Sequence, residues 1–344
     1  MNQHNSTSIS LSPSAAGLFT LSLRLVTGWT YFSAFWRRLV LENKLDPDQA
    51  GYIGEKFNHF LPNALLIKPM IEYLVSNGEA LWWFMLAFTI VEGLVGFLFI
   101  AGLFTRLMSL AIVGLALGIL LSAGWLGTTC LDEWQIGILG LASGFTIFLT
   151  GSGKQSLDHL LFKKGWRITK RKFFPWIGSG ALPVSAKKLT RIGVTGAVLI
   201  TAISLFTNQY FHGGVWGQLH NLSVRPKVEI SHAGIENGRL SFTIFRVEGA
   251  DVYGSFLIKI AVKDERGNLL LEKNAEALSR INASDIENAY TAKIKPGKHS
   301  LVIPLGAKAR LSFMEETLQQ LPKGLYTLEL TDISGIVWKE IISL

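Results

Sequence analysis

Three groups of side chains in this sequence have the types and spacing to do chemistry. The first is Arg37 and Arg38, adjacent at the end of the apolar run "RLVTGWTYFSAFWRR". Paired planar guanidinium groups grip an oxyanion in bidentate fashion and make a ready clamp for a dianion. The second is "GTTCLDEW", which holds Cys130, Asp132 and Glu133. A thiol beside arginines is pushed toward thiolate, the reactive form. The third is "YFHGGVWGQLHN", with His212 and His220 separated by seven residues that begin with the pair Gly213-Gly214. That spacing matches no common metal motif, so the imidazoles read as proton acceptors working near neutral pH. Each group also has a plainer reading: arginines at a helix end snorkel to lipid phosphate, and a lone cysteine packs as a small apolar residue.

Two further ionisable residues, Arg24 and Glu92, stand inside long apolar runs, where charge is costly unless paired. Counting about 1.5 Å per residue from opposite surfaces puts them within about two helical turns of one depth. They read either as an ion pair fixing the first two helices or as part of a path for protons or a contact to a redox carrier dissolved in the membrane.

These residues need a membrane scaffold to position them. The chain has 344 residues, 49% of them hydrophobic and only 17% charged, with a mean hydropathy of +0.33. Soluble domains carry about 25% charge. The net charge of +8 resides in clusters between apolar segments, so it reads as a topology signal and not as a nucleic-acid groove. Five segments, 16–36, 81–104, 107–127, 134–152 and 189–209, are long enough to span a bilayer. Short connections make the second, third and fourth antiparallel neighbours. Gly93, Gly96, Gly114, Gly118, Gly137, Gly140 and Gly144 recur at helical spacing and predict close backbone approach, which would also allow a homodimer. The start, "MNQHNSTSISLSPSAAG", has no basic residue and no small-residue cleavage site, so the first helix is expected to serve as an uncleaved anchor.

Loop charge sets the expected orientation. Lys154, Lys163, Lys164, Arg167, Lys170, Arg171, Lys172, Lys187, Lys188 and Arg191 share one side with Asp158 alone, whereas 37–80 and 128–133 mix both signs. The positive-inside rule places the first set, with the N-terminus, in the cytoplasm. Arg37 and Cys130 are then outside, and Trp36, Trp82, Trp83, Trp125 and Trp134 fall at outer helix ends, where indoles favour the headgroup level. "LPNALLIKPMIEYLVSNG" is expected to lie as a short helix on the outer surface. From Pro226 onward, runs such as "LSFTIF" and "GLYTLEL" alternate between turns such as Glu236-Asn237-Gly238, predicting an antiparallel β-sandwich of immunoglobulin-like kind. "SFMEETLQQL" reads as a short helix. The expected fold is an α-helical membrane bundle, a four-helix core plus a fifth transmembrane helix, with a C-terminal extracytoplasmic antiparallel β-sandwich. The expected divisions are 1–165, a basic cytoplasmic linker at 166–188, the fifth helix at 189–210 and the β domain at 211–344.

One cysteine excludes an intrachain disulfide and a CxxC pair. No phosphate-binding glycine loop, haem-attachment motif, HExxH or flavin motif occurs.

The order "RLVTGWTYFSAFWRR", "VEGLVGFLFIAGLFTR", "GSGKQSLDHLLF" resembles the DoxX/DoxD family of four-helix membrane proteins, and its "WRR" end is similar to the DoxD branch, a small subunit of thiosulfate:quinone oxidoreductase. "GGVWGQLHNLSVRPKVEIS", leading into a β domain, resembles the companion DoxA subunit. The resemblance covers about 15–165 and 190–344 and looks like a fusion of the two. It implies a membrane enzyme that oxidises thiosulfate to tetrathionate on the extracytoplasmic face and passes electrons to a membrane quinone, of ubiquinone, menaquinone or caldariella type. On that reading Arg37 and Arg38 hold thiosulfate and Cys130 carries a sulfane adduct. The quinone ring docks among Trp36, Trp82, Trp83 and Trp125, with Glu92 and Arg24 as further contacts. The β domain caps the site, and His212 or His220 accepts a proton. The alternatives are a non-catalytic accessory subunit of the bilayer, or a quinone-linked oxidoreductase for another sulfur anion such as sulfite.

Overall fold

The apolar runs of the first half form helices, in the order α1 (Pro13–Phe19), α2 (Leu21–Phe35), α3 (Ile53–Phe60), α4 (Lys68–Ser76), α5 (Gly78–Ala101), α6 (Thr105–Ala123), α7 (Asp132–Thr150), α8 (Leu157–Lys163), α9 (Phe174–Ile177) and α10 (Ala186–Phe211). The structure, a computed structural model of the chain, describes residues 13–49, 51–127, 132–250 and 255–344. Among the described residues α5, α6 and α10 are long and apolar enough to cross a membrane. The expected spans 16–36 and 134–152 fall on α2 and α7, helices of 15 and 19 residues. A six-residue π-helical turn, Trp36–Leu41, prolongs α2.

The chain divides into two units that do not follow chain order. The first comprises the described part of 1–43 with Ala87–Leu120 and Gln135–Thr207. Here α2 runs antiparallel to α5, and glycine on both at the crossing lets the backbones approach closely. A Cβ added at Gly96 would stand 2.5 Å from Phe32 N, and one at Gly28 2.6 Å from Ile100 Cγ1. Helices α6 and α7 meet the same way, with Gly144 against Val113 and Ser109, and Gly137 against Leu120. A Cβ at Gly114 would meet nothing within 4 Å among the described residues, so not every glycine of the stripe marks close packing. Tyr31, Val95, Phe99, Ile112, Leu115 and Ile147 form the apolar core of this unit.

A buried polar node closes one end of it. Asp158 accepts from Phe104 N at 2.8 Å, Thr105 N at 3.0 Å and Thr105 Oγ1 at 2.8 Å. It therefore satisfies amide groups that would otherwise be orphaned where α6 begins. Ser179 Oγ donates to the same carboxylate at 3.0 Å. Arg106, fully buried, donates from Nε to the Phe148 carbonyl at 2.9 Å, from Nη1 to Pro175 at 2.6 Å and Gly178 at 3.1 Å, and from Nη2 to Gly180 at 2.7 Å. The expected linker is thus folded and held by side chains, with Phe174 buried in it.

The second unit comprises Lys44–Leu86, Leu121–Trp134 and Asn208–Leu344, as far as described. Its strands are β1 (Lys227–Glu236), β2 (Arg239–Glu248), β3 (Ser255–Lys263), β4 (Leu269–Asn274), β5 (Ile286–Asn288), β6 (Lys295–Pro296), β7 (Leu301–Ile303), β8 (Lys308–Met314), β9 (Leu325–Asp332) and β10 (Val337–Ser343), with a short helix α11 (Ala275–Ser279) after β4. Two antiparallel sheets result, one in the order β1-β2-β8-β5 and one in the order β10-β9-β3-β7-β6, with β4 also paired to β3. Alternate residues of both, such as Phe242, Ile244 and Leu311 against Leu257, Ile260 and Leu328, share one core. Asn237 and Gly238, at φ 49° and 79°, make the β1–β2 hairpin turn that Asn-Gly favours.

One local expectation is corrected. "SFMEETLQQL" is not a helix: Ala309, Leu311 and Phe313 keep the strand alternation, β8 runs to Met314, and only Glu316–Leu318 turns as 3-10 helix. The expected short helix in "LPNALLIKPMIEYLVSNG" is α4, with Ile71, Leu74 and Val75 buried and Met70 and Tyr73 exposed. Thr291 N donates to the Val75 carbonyl at 3.0 Å, and Tyr290 Oη donates to Glu72 at 2.6 Å. Asn58 makes the same link nearby, donating to the Gly306 carbonyl at 2.6 Å and accepting from Ala292 N at 3.1 Å.

Candidate functional site

The two arginines of "WRR" lie on the π turn, which inserts an extra residue into the helical repeat and so re-aims the side chains it carries, a distortion common at functional sites. They do different things. Arg38 Nη1 donates to Glu92 Oε2 at 2.6 Å and stands 3.4 Å from Thr89 Oγ1, with the guanidinium 6.0 Å from the Phe88 ring centre. The Glu92 side chain is only 4% exposed. Arg37 is exposed and, among the described residues, bonds within its own helix, from Nε to the Ser33 carbonyl at 3.3 Å and from Nη2 to Ser33 Oγ at 3.2 Å. Of the pair, Arg37 is the one whose charge no carboxylate offsets among the described residues.

The expected pairing of Arg24 with Glu92 is therefore wrong. Arg24 donates to the Ser152 carbonyl at 3.0 Å and the Gln155 carbonyl at 2.6 Å. The Gly28–Gly96 crossing sets the register of α2 on α5, and in that register Arg24 faces Gly102 while Arg38 faces Glu92. Arg24 and Arg38, fourteen residues apart, are separated by about 21 Å along the helix. Depth counted from the surfaces overlooks a register fixed by glycines.

One residue escaped the sequence reading. Tyr31 is buried, and its hydroxyl has no hydrogen-bond partner among the described residues. It precedes Arg38 by seven positions on the same helix and packs with Val95 and Phe99 of α5. A Cβ at Gly140 would come within 2.5 Å of its oxygen. The i, i+7 spacing of Tyr31 and Arg38 was the available signal. On the exposed side of α2, Phe32 gathers Trp29 at 5.9 Å, Trp36 at 6.1 Å and Phe97 at 6.0 Å between ring centres.

The remaining expected site residues belong to the second unit. Cys130 lies outside the described residues. Trp82 and Trp83 stack edge to face at 4.7 Å, with Trp83 exposed. Trp125 is fully buried with Ala123, Leu126, Phe211 and Leu305, and its indole N–H donates to the Phe60 carbonyl at 3.2 Å. Its indole face and its N–H are thus both used within the core. His212 is buried, with Nε2 2.9 Å from the Gly124 carbonyl and Nδ1 without a partner among the described residues. Gly213, at φ 72°, lets the chain turn back so that His220 N reaches the His212 carbonyl at 2.8 Å. His220 itself is exposed. No three His, Cys, Asp or Glu side chains converge as a metal site among the described residues.

Burial pushes the His212 pKa below the ordinary histidine value; the Gly124 contact opposes this and His220 adds to it. The folded protein then binds the His212 proton less readily than the unfolded chain does. Its contribution to stability is full above about pH 6.5 and is lost as the pH falls from there toward the depressed folded value. Melting curves at about pH 8 and about pH 5 should show this loss, and His212→Gln should shrink it.

Residues 19–185 match the family model described as TQO small subunit DoxD, and residues 211–341 match the one described as TQO small subunit DoxA. The chain is a DoxD–DoxA fusion. It is a membrane protein related to thiosulfate:quinone oxidoreductase. The DoxD match runs through the folded basic segment, so the polar node of Arg106, Asp158 and Ser179 lies within it. The DoxA match opens at Phe211, beside His212.

Proposed function

We propose that this DoxD–DoxA chain oxidises thiosulfate to tetrathionate and passes the electrons to a membrane quinone. The observation that carries the reading is the presence of both small-subunit families in one polypeptide. Two thiosulfate dianions lose one electron each and join through their sulfane sulfurs, while the quinone takes up two electrons and two protons. The chain's own residues must therefore bind anions, present an aromatic surface and move protons.

Arg37 supports the first task, because its exposed guanidinium meets no carboxylate among the described residues. Arg38 has its charge offset by Glu92 and acts as a support beside it. The Trp29, Phe32, Trp36 and Phe97 cluster supplies an exposed aromatic face that fits a quinone ring. Glu92 and the Tyr31 hydroxyl, which has no hydrogen-bond partner among the described residues, suit proton delivery. We place thiosulfate binding on the extracytoplasmic face, following the loop charges. His212, whose Nδ1 has no partner among the described residues, is assigned as a further proton acceptor, and Cys130 as a sulfur carrier.

A second reading has one observation in its favour: both families are described as small subunits, which suits an accessory role beside a separate enzyme. The test is reduction of a soluble quinone analogue by thiosulfate, using the purified full chain with lipid and assaying tetrathionate. Turnover by the chain alone supports the enzyme. Turnover with sulfite only changes the substrate, and silence with every sulfur anion favours the accessory role. Arg37→Ala should raise KM for thiosulfate about tenfold or more and leave the melting temperature unchanged, since the lost contact is to substrate. Unchanged kinetics would return Arg37 to lipid anchoring. In the same assay, Cys130→Ser separates a covalent carrier from direct coupling of two bound thiosulfates.

A further inference from the structure

The first unit carries an unbalanced charge that the proposed oxidoreductase chemistry does not use. From His159 to Val228 the sequence contains neither Asp nor Glu, yet Lys163, Lys164, Arg167, Lys170, Arg171 and Lys172 crowd into one short stretch. All six are exposed, and none makes an ion pair or a side-chain hydrogen bond among the described residues. Large rings are interleaved with them: Trp166, Phe173 and Trp176 are 56%, 51% and 46% exposed.

This stretch is built into the fold. Arg106 holds the carbonyls of Pro175, Gly178 and Gly180, and Ser179 bonds to Asp158. Phe174 packs edge to face on Phe104 at 6.4 Å and Phe162 at 5.0 Å. Six cations and three rings are therefore presented from an ordered platform. A topology signal needs only the charges, and neither the fixed backbone nor the exposed indoles. Cationic and aromatic side chains together are what the headgroup layer of a membrane takes up: ammonium and guanidinium groups meet phosphate, and indole rings sit at the boundary with the acyl chains. A free small anion is the weaker occupant. The small cavity in this region, about 140 Å³, is lined by Ser14, Gly153, His159, Phe162, Ser179 and Gly180, with none of the six cations.

We infer that residues 163–176 form a docking platform for anionic phospholipid headgroups, so that the protein selects and retains acidic lipid from the leaflet it faces. The inference is independent of thiosulfate turnover.

The test uses the full chain, delipidated in neutral detergent, with its melting temperature followed on adding one of three probes. These are an anionic phosphatidylglycerol, a phosphatidylcholine of the same acyl chains, and inorganic phosphate. The anionic lipid alone should raise the melting temperature by several degrees, and added salt should weaken the effect. The variant Lys163→Gln, Lys164→Gln, Lys170→Gln, Lys172→Gln changes only exposed side chains and should melt normally without lipid while losing most of the response. Lysine-to-arginine replacement at the same positions should keep it. Native mass spectrometry should show severalfold less co-purified acidic lipid on the glutamine variant. An equal response to phosphatidylcholine, or a full response in the glutamine variant, overturns the platform. A response to inorganic phosphate as large as that to lipid overturns the leaflet as occupant. Should the glutamine variant fold poorly, Trp166→Ser together with Trp176→Ser supplies the second arm, with the same loss of response expected.

Discussion

Replacing Arg106 with methionine should destabilise the DoxD region by about 4 kcal/mol or more, the largest loss expected from any single change outside the proposed site. The side chain is fully buried and ends on four carbonyls, those of Phe148, Pro175, Gly178 and Gly180. Methionine has a similar residue volume and is tolerated in helices, so the main cost is the lost hydrogen bonds and charge, not overpacking or helix propensity. Four buried acceptors lose charge-assisted donors at once, and Asp158 loses a nearby positive charge. The segment after α8 should loosen first, because three of the four carbonyls belong to it. Thermal unfolding in detergent reads the global effect, and limited trypsin cleavage at the Lys163–Lys172 stretch reads the local one. Arg106→Lys should fall between: it keeps the charge but lacks the planar fork that reaches carbonyls in several directions. Unchanged melting and cleavage would mean that water or lipid replaces the guanidinium freely.

Much of this node was visible in the sequence without its meaning being so. Asp158 stood out as the lone acid among ten cations, and "GSGKQSLDHLLF" served as a mark of family. That the acid closes the start of α6 depends on the turn at Gly102–Phe104, where Gly102 has φ 66° and Phe104 φ 49°. Composition and periodicity fixed the helical half and the β half, because apolar runs of twenty residues and alternating runs of six have few other solutions. The Asn237-Gly238 turn was readable for the same reason, since few residue pairs accept two positive φ values.

What composition and periodicity leave undetermined is partner choice. The charges of Arg24, Arg38 and Glu92 were plain, but which arginine meets the glutamate depends on how α2 slides along α5. That register comes from a Gly28–Gly96 contact worth only a few ångströms of shift. The π turn at Trp36–Leu41 carries no local sequence signature either. Grouping the 44–86 and 121–134 connections with the β strands needs long-range contacts such as Asn58 to Gly306 and Trp125 to Phe60, which no local pattern encodes. The failures share a cause: each is set by tertiary contacts between segments far apart in the chain.

The corrected pairing makes Arg38 and Glu92 the sharpest test of how the DoxD core divides stability from chemistry. Arg38→Leu should cost about 3–5 kcal/mol, because it strands a buried carboxylate in an apolar bundle. Adding Glu92→Leu should restore most of that loss, since removing both charges leaves nothing unpaired. Glu92→Gln keeps the shape and can still accept a hydrogen bond from Arg38, so its cost should be smaller. The kinetic pattern then separates two roles. If Glu92 delivers protons to the reduced acceptor, both Glu92→Gln and the double leucine variant should lower kcat about a hundredfold with KM for thiosulfate nearly unchanged. That is the opposite of the Arg37→Ala pattern, in which KM rises. Tyr31→Phe should follow Glu92→Gln in direction, because its hydroxyl lacks a partner within the described fold and its removal costs no protein hydrogen bond. A double leucine variant that melts like the parent and turns over at the parent rate would make the ion pair a register device and nothing more. A variant that melts normally but turns over slowly would place proton delivery on this carboxylate, about two-thirds of the way along α5 and inside the span.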